Sequence, residues 1–214
     1  MIIFIFYIKI DNIQRKMDTA QRKIDKWFEC GNANAVLDLS YLELTELPPL
    51  PPNVEELWCN GNRLTELSSL PLGLKELRCY YNQLAELPFL PESLEILICH
   101  NNQLTELPRL PESLEILICH NNQLTELPRL PESLKVLDCN NNQLAKLPPL
   151  SHNIQWIHCH NNNLTELPFL PESLEQLRCY GNFLQYPANA MERPLDEIKK
   201  MVNEKIAQLC EVSG

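Results

Sequence analysis

The sequence predicts a solenoid, an elongated domain built from stacked copies of one short unit. A period of 20 residues runs through most of the 214-residue chain and carries leucine, cysteine and asparagine at fixed positions. Residues 94–113 recur without any change as residues 114–133. Two prolines, three residues apart, interrupt the second half of most units and exclude a regular helix there. Stacked repeats of this length bury their apolar faces against their neighbours.

The repeat itself reads L-x-x-L-x-C-x-x-N-x-L-x-x-L-P-x-L-P-x-x. The pattern L-x-x-L-x-L-x-x-N/C-x-L is that of the leucine-rich repeat. Seven copies in register, and a degenerate eighth in which Leu42 replaces the asparagine, predict eight repeats over residues 34–186. The expected fold is a leucine-rich repeat solenoid. It has a short parallel β-sheet on the concave face, an extended, polyproline II-like convex side, and helical caps at both ends.

The charge balance of the chain limits its partners. The sequence has 18 Lys and Arg against 28 Asp and Glu, a formal net charge of −10 at pH 7. Binding to nucleic-acid phosphates or to anionic membranes depends on clustered Lys and Arg. We therefore expect neither a nucleic acid nor a membrane as the partner.

The nine cysteines are predicted to be free thiols. Seven of them form one column of the repeat. Side chains in register on neighbouring parallel strands point the same way, which suits a disulfide poorly, and seven members cannot all pair. A buried cysteine acts as a small hydrophobe, and a ladder of free thiols fits a reducing compartment. The expected location is cytoplasmic, with Cys30 and Cys210 outside the ladder in the flanks.

The N-terminal flank, residues 1–33, is predicted to be a leader followed by a helical cap. Residues 18–30 place Ile24, Trp27 and Phe28 on one face at helical spacing. The terminal repeats of a solenoid need a cap, because their apolar ends are otherwise open. These aromatic side chains are therefore assigned to the cap.

The first eight residues, MIIFIFYI, are almost wholly apolar. They are too few to cross a bilayer, which needs about 20 residues. They also lack the basic start and the small-residue cleavage site of a signal peptide. We expect an extended segment packed on the cap or a disordered leader, and a translation start at Met17 would remove the segment.

A short strand is predicted in the first half of each repeat. In the copy that begins at residue 94, alternation directs Leu97 and Cys99 inward. The same alternation directs Ile96, Ile98 and His100 outward. Stacking the strands forms one parallel sheet whose inner columns are leucine and cysteine.

The asparagine column follows the strand, where the chain turns. A buried turn leaves backbone N–H and C=O groups that need partners, and an asparagine amide supplies both a donor and an acceptor. We expect Asn62 through Asn182 to form a ladder of side chains hydrogen-bonded to neighbouring backbone.

The second half of the repeat, commonly L-T-E-L-P-x-L-P-E-S, is predicted to run extended along the convex side. Prolines such as Pro108 and Pro111 remove backbone donors and favour extended neighbours. The leucines beside them, Leu107 and Leu110, are expected to turn inward. A column of glutamates, broken by Lys146, is expected to form a solvated stripe: Glu66, Glu86, Glu106, Glu126 and Glu166.

Residues 187–214 are predicted to be the C-terminal helical cap. Within them, residues 194–210 place Leu195, Ile198 and Val202 on one helical face. A helix that binds a partner is the alternative for this segment.

The repeat resembles the shortest leucine-rich repeats, the 20-residue kind found in secreted bacterial effectors. That group includes the Yersinia outer protein M type and the invasion-plasmid antigen type of ubiquitin ligases. The resemblance covers residues 24–186 and is carried by the L-P-x-L-P signature and by the junction of helix and first repeats at residues 24–59. It implies the cytoplasm of a host cell as one candidate location.

Repeats of this general kind also occur in large DNA viruses of protists. Two features of this repeat, seen in residues 99–103, differ from the effectors. Cysteine stands where the effectors more commonly have an aliphatic residue, and the Asn-Asn-Gln turn stands where their turns are commonly rich in aspartate. These differences favour a viral or protist source. The ligase effectors carry a large separate catalytic domain after their repeats. Nothing comparable fits after Tyr186, so Cys210 is expected to have no catalytic role.

The candidate site is the outward side of the predicted sheet. The middle repeats expose isoleucines side by side, and aromatic and arginine side chains flank them. A contiguous apolar patch with a polar rim marks an interaction site, and Trp, Tyr and Arg are its usual anchors. The predicted partner-binding residues are Trp58, Arg78, Tyr80, Ile96, Ile98, His100, Ile116, Ile118, His120, Val136, Trp156, His158, His160, Arg178 and Tyr180.

Four of the five histidines lie in these outward columns. Such clusters can bind metal or sense pH. The cysteines face the core and Asp138 is the only outward carboxylate beside the histidines, so we expect no metal and no cofactor. The chain has no glycine-rich phosphate loop and no G-x-S-x-G motif. Identical repeats also do not bring unlike groups to one spot, so no catalytic residue is predicted.

The sequence therefore favours a non-enzymatic protein–protein interaction module that binds a protein partner on its concave sheet. One alternative is a structural protein that self-associates, for example as a homodimer, through the same apolar face. Another is a substrate-recognition adaptor for a ubiquitin ligase or another enzyme supplied in trans.

Overall fold

The computed structural model describes residues 2–32, 35–186 and 193–212, and it describes the side chains from residue 12 to residue 208 within these ranges. The predicted boundaries at residues 33/34 and 186/187 adjoin segments outside the described residues. The side chain of Cys210 also lies outside them.

One parallel sheet of eight short strands runs through the repeats in sequence order. A helix, α1 (Ile2–Cys30), precedes the sheet and a second helix, α2 (Leu195–Val212), follows it. The strands are β1 (Leu37–Asp38), β2 (Glu56–Trp58), β3 (Glu76–Arg78), β4 (Ile96–Ile98), β5 (Ile116–Ile118), β6 (Val136–Asp138), β7 (Trp156–His158) and β8 (Gln176–Arg178). The predicted solenoid with one parallel sheet and a helix at each end is confirmed.

The register of the sheet follows the sequence period, since each strand residue pairs with the residue 20 positions later. Leu97, for example, lies opposite Leu77 on one side and Leu117 on the other. Equivalent side chains therefore stack in columns. The inward columns are closed to solvent, with Leu97 and Cys99 both fully buried. The leucines of the convex half, such as Leu107 and Leu110, complete the core from the other side.

The asparagine column holds neighbouring repeats together, as predicted. The Oδ1 atom of Asn122 accepts a hydrogen bond from the Leu104 amide at 3.0 Å. Its Nδ2 atom donates to the carbonyl oxygens of Cys99 and Cys119, both at 3.1 Å. One side chain thus binds backbone in its own repeat and in the preceding one. The same arrangement recurs along the column from Asn62 to Asn182.

The residue just before each of these asparagines adopts a left-handed backbone conformation. Asparagine is among the few residues that tolerate it, and Asn101, Asn121, Asn141 and Asn161 fill the position in the middle repeats. Glycine fills it at Gly61 and Gly181 and tyrosine at Tyr81, and Tyr41 has the same conformation before Leu42 in the degenerate first repeat.

A serine column on the convex side was not predicted. The Ser113 hydroxyl lies 2.7 Å from the carbonyl oxygens of Glu92 and of Leu94, in the preceding repeat. Ser93 and Ser173 contact equivalent pairs of carbonyls. The hydroxyls satisfy acceptors that an extended chain rich in proline cannot pair through its own amides.

The N-terminal helix is longer than the sequence analysis predicted. It begins at Ile2 rather than near residue 18, so the expectation of an extended or disordered leader is wrong for residues 2–8. Residues 2–30 contain neither proline nor glycine, so nothing in the sequence interrupts the helical hydrogen bonds. The apolar, β-branched composition of the first residues concealed this continuity.

The C-terminal part of α1 covers the first repeat. Ala20, Ile24 and Trp27 are buried, and the Trp27 indole N–H donates to the Ala35 carbonyl oxygen at 2.6 Å. Phe28, which was placed on the same face, is 54% exposed. Adjacent helical residues point about 100° apart, so Trp27 and Phe28 cannot both face the repeat.

The C-terminal helix packs on the last repeat. Ile198 and Val202 are buried, and the Asn203 side chain bonds both the amide and the carbonyl of Leu170 at 2.9 Å. Lys199 donates to the Glu172 carbonyl oxygen at 2.9 Å. The apolar face of α2 is therefore occupied by its own solenoid, as in a cap. Within the described residues, neither helix is long and apolar enough to span a membrane.

Candidate functional site

The solvent-facing side of the sheet carries a continuous aliphatic patch, which we define as Ile96, Ile98, Ile116, Ile118 and Val136. Each strand from β2 to β6 buries its central residue and leaves the two flanking residues partly exposed. The register places Ile96 beside Ile116, and Ile98 beside Ile118. The two columns thus form one apolar surface that water reaches.

Trp156 extends the aliphatic patch by one strand. It pairs in register with Val136 and is 47% exposed. An exposed indole next to partly exposed aliphatic side chains has much apolar area left to bury. Tryptophan is among the residues that contribute most to binding when such area is covered.

A compact polar cluster closes one end of the patch. The Arg78 guanidinium lies 4.4 Å from the centre of the Trp58 ring, and its Nε atom donates to Glu76 Oε1. The Trp58 indole N–H donates to the same oxygen at 3.2 Å. A cation over an aromatic ring contributes about 0.5–1 kcal/mol at exposed sites. These three side chains hold one another in place.

A line of stacked rings follows the carboxyl ends of the strands. We call it the ring ladder: Tyr80, His100, His120, His160 and Tyr180. The ring centroids of Tyr80 and His100 are 4.6 Å apart, and those of His100 and His120 are 4.2 Å apart. His160 and Tyr180 stack at 4.4 Å. Asn140 occupies the equivalent position between the two groups.

The histidines of the ladder are held neutral. The side-chain Nδ2 of Asn101 donates to His100 Nδ1 at 2.7 Å, and the side-chain Nδ2 of Asn121 lies 3.0 Å from His120 Nδ1. Burial, helped by the neighbouring His120 ring, lowers the pKa of His100 to about 4. Burial likewise lowers the pKa of His120 and of His160. At neutral pH the ladder is an uncharged aromatic surface.

One carboxylate lies among the histidines. Asp138 Oδ2 is 3.7 Å from His158 Nδ1, and Asp138 also accepts from the Asn140 side chain. The His158 Nε2 and His160 Nδ1 atoms are buried without a hydrogen-bond partner in the part of the chain that the structure describes. No three His, Cys, Asp or Glu side chains there are grouped so that they could hold a metal ion. His100 and His120 stack on each other, whereas the His158 and His160 rings are tilted with their centroids 6.4 Å apart.

The fifteen residues predicted to bind a partner lie in strands β2 to β8 or two residues after a strand ends. Their role in binding stays a prediction. Tyr81 was missed. It is 55% exposed and lies edge-on to His100, with ring centroids 5.4 Å apart. Tyr81 follows the outward residue Tyr80 and precedes Asn82, at the turn position with left-handed backbone conformation. That place in the repeat was the sequence signal that could have revealed it.

Exposed apolar side chains also occur away from the sheet. Leu72 is 88% exposed and Phe89 is 93% exposed, both on the convex half of their repeats. In the next repeat the equivalent positions are Glu92 and Arg109, which form an ion pair at 2.8 Å. The convex side therefore offers apolar residues that can serve as matched controls for substitutions on the concave side.

Comparison with known proteins identifies relatives of the repeats. A family model described as leucine-rich repeats, two copies, matches residues 112–152. The search of curated protein sequences found no match.

Among solved structures, YopM from Yersinia enterocolitica shares 42% identity over 67% of this chain and 32% of its own, with a TM-score of 0.67. YopM from Yersinia pestis shares 40% identity over 78% of this chain and 48% of its own, with a TM-score of 0.73. The leucine-rich repeat domain of a Shigella effector shares 31% identity over 83% of this chain and 84% of its own, with a TM-score of 0.73. The chain thus spans about a third to a half of the two YopM structures.

Proposed function

The chain belongs to the leucine-rich repeat proteins of the bacterial-effector type, and from this premise we propose that it binds a protein partner on its concave sheet. Solenoids of this kind use their extended concave surfaces for binding. The observation that carries the proposal is the aliphatic patch, which continues through Trp156 without a charged side chain in its first column. Such a patch on a folded protein is costly to leave in water.

The residues around the patch support a protein as the partner. Trp156 on β7, Arg178 on β8 and Tyr180 after β8 are all exposed. Tryptophan, tyrosine and arginine are enriched among the residues that contribute most of the binding free energy at protein interfaces. The formal charge of −10 disfavours phosphate-rich partners.

We further propose that the protein acts without catalysis and in a reducing compartment, with the cytoplasm of a host cell as a candidate. The stacked, neutral imidazoles support binding rather than proton transfer to a substrate. The seven thiols of the repeat column are free and buried. Before folding they are exposed, so an oxidising compartment would cross-link the nascent chain.

Affinity capture from a eukaryotic cell extract tests the proposal. The unaltered protein is compared with an Ile98→Glu, Ile118→Glu variant and with a Leu72→Glu, Phe89→Glu control, after circular dichroism shows that all three fold. We expect a partner that the parent and the control retain and the concave variant loses. A partner retained by all three, or lost only with the convex control, contradicts a concave site.

Self-association is the second candidate, because the same aliphatic patch could be covered by another copy. Sedimentation measures the mass of the parent and of the Ile98→Glu, Ile118→Glu variant over a range of concentrations. A mass that doubles with concentration for the parent alone supports a homodimer through this face. A parent that stays monomeric at all concentrations excludes it.

A further inference from the structure

We propose that the segment of the partner that occupies the concave face is an amphipathic α-helix lying across the strands, with lysine or arginine along one flank. This inference rests on the proposed function and specifies the shape and chemistry of its ligand. It follows from the spacing of the aliphatic side chains, the short length of the strands and the charges that border the patch.

The spacing along the patch matches a helix better than an extended segment. Ile96, Ile116, Val136 and Trp156 form one column with one residue per strand. Adjacent strands lie about 4.8 Å apart, so the column is about 14 Å long. Three turns of helix rise about 16 Å. Four same-face residues of an extended segment span about 20 Å. A helix can therefore place one side chain over each of the four strands. Over the same four residues, an extended segment would run past the column by more than the spacing of one strand.

The second column makes the surface wide enough for a helix. Ile98 and Ile118 stand two residues after Ile96 and Ile116, which places the columns about 6.6 Å apart. Side chains of a helix at i, i+3 or i+4, and i+7 form a stripe that fits between two such rows. A helix of three to four turns would cover the patch from β4 to β7.

Pairing at the edge of the sheet is a poor alternative for an extended ligand. The strands are three residues long or shorter, so an added strand would gain few main-chain hydrogen bonds. The edge at β1 is covered by α1. The face of the sheet, rather than its edge, is the surface with unburied apolar area.

The charges beside the patch favour a basic flank on the helix. The residues just before strands β2 to β8 include four glutamates and two lysines. Lys75 and Lys135 pair with Glu55 and Glu115 at 2.6 and 2.7 Å. The other two glutamates, Glu95 before β4 and Glu175 before β8, are exposed and form no direct ion pair with any described residue, although Lys75 also attracts Glu95 electrostatically. The carboxylates that remain attract lysine or arginine on the helix flank at the amino ends of the strands.

A selection from phage-displayed random linear peptides of 16 residues tests the proposal without knowledge of the partner. The full chain is the target, and the Ile98→Glu, Ile118→Glu variant removes peptides that bind elsewhere. We expect enriched peptides with apolar residues at i, i+3 or i+4, and i+7, and with lysine or arginine beside them. Synthetic copies should become helical on binding by circular dichroism. Enriched peptides that are proline-rich, or that alternate apolar and polar residues, overturn the proposal.

The affinity of one synthetic peptide for three proteins places its site. Relative to the parent, binding should weaken at least tenfold for Ile98→Glu, Ile118→Glu and should not change for Leu72→Glu, Phe89→Glu. Equal binding to all three proteins also overturns the proposal.

The two proposals fail in different ways. If extract capture yields a protein that the concave variant loses, while the selection yields no helical peptide, the helix is wrong and concave binding stands. If no captured protein and no selected peptide binds the parent better than the Ile98→Glu, Ile118→Glu variant, both proposals are wrong.

Discussion

The asparagine of each turn is the residue on which contact between repeats depends most. Asn122 contacts one backbone amide and three carbonyl groups through a single side chain, and two of these four groups belong to the preceding repeat. A shorter side chain would leave these groups without partners where water has little access. The cost of an unsatisfied buried polar group, rather than the gain of a hydrogen bond, determines the effect.

Replacing Asn122 by alanine should lower the free energy of unfolding by about 1–3 kcal/mol, because buried backbone groups lose their partners. Urea denaturation followed by circular dichroism measures the change. Gln123→Ala is the matched control, since it removes an exposed amide from the next residue, and it should stay within about 0.5 kcal/mol. Equal losses of unfolding free energy for the two variants would contradict the stabilising role of the asparagine column.

The cysteine column is chemically protected as well as buried. Burial raises the pKa of Cys59 and of Cys99 to about 12. The thiolate is the reactive form of cysteine, so these side chains have neither the access nor the charge state to react. Cys30, near the end of α1, is exposed.

Labelling with a thiol reagent tests this difference. In a Cys210→Ser background the chain has eight cysteines. At pH 8, one thiol, Cys30, should react rapidly in the native protein, and all eight should react in denaturant. The seven thiols of the cysteine column should react only at the rate of unfolding, because reaction requires their exposure to the reagent. Rapid native labelling of two or more thiols would show that the column is open to solvent.

At the scale of the element, the strands bring histidines from different repeats into one stack. The pKa of His100 is about 4 in the folded protein, because burial and the His120 ring disfavour its charge. In the unfolded chain a histidine binds a proton near pH 6.5. Between these values the unfolded state binds more protons, so acid favours unfolding. This contribution to stability is complete above pH 6.5 and is lost as the pH falls towards 4.

A His100→Tyr, His120→Tyr variant should lose less thermal stability between pH 7 and pH 4.5 than the parent. Tyrosine already occupies this column at Tyr80 and Tyr180, so it can stack there, and it does not titrate in this range. Melting temperatures across the pH range measure the effect. His152→Gln, an exposed change on the convex half, should follow the parent. Parallel curves for all three proteins would remove the ring ladder as a source of acid sensitivity.

At the scale of the whole molecule, two identical repeats stand next to each other. Residues 94–113 and 114–133 have the same sequence. A repeat contacts only its neighbours, so the stability of a solenoid is close to a sum of repeat and interface contributions. Removing one copy would therefore leave only contacts between repeats that the parent already contains.

Deletion of residues 114–133 should give a folded, shorter solenoid. The urea dependence of unfolding, the m-value, should fall by roughly one tenth, because it scales with the surface exposed on unfolding and the deletion removes 20 of 214 residues. The free energy of unfolding should also fall, since one repeat and one interface are lost. Circular dichroism and urea titration measure both. A deletion protein that does not fold would show that contacts beyond nearest neighbours are essential.

Much of the fold was predictable because the period of the sequence is also the register of the sheet. A residue and its equivalent 20 positions later must be neighbours, so Leu97 beside Leu117 and Ile98 beside Ile118 followed directly. Alternation along the strand then separated the buried Cys99 from the partly exposed Ile98. The candidate surface was predictable to the same extent, since its columns are the outward positions of this pattern.

What the sequence by itself determined about this protein is the solenoid, its inward and outward columns, and the composition of its concave face. Only the tertiary structure decided where α1 begins, that Phe28 faces solvent, that Ser113 contacts the preceding repeat, and that His100 stacks on His120. The physical reason is that periodicity specifies which positions are neighbours. Helix length, ring orientation and side-chain hydrogen bonds depend on the space and the partners that the assembled neighbours leave.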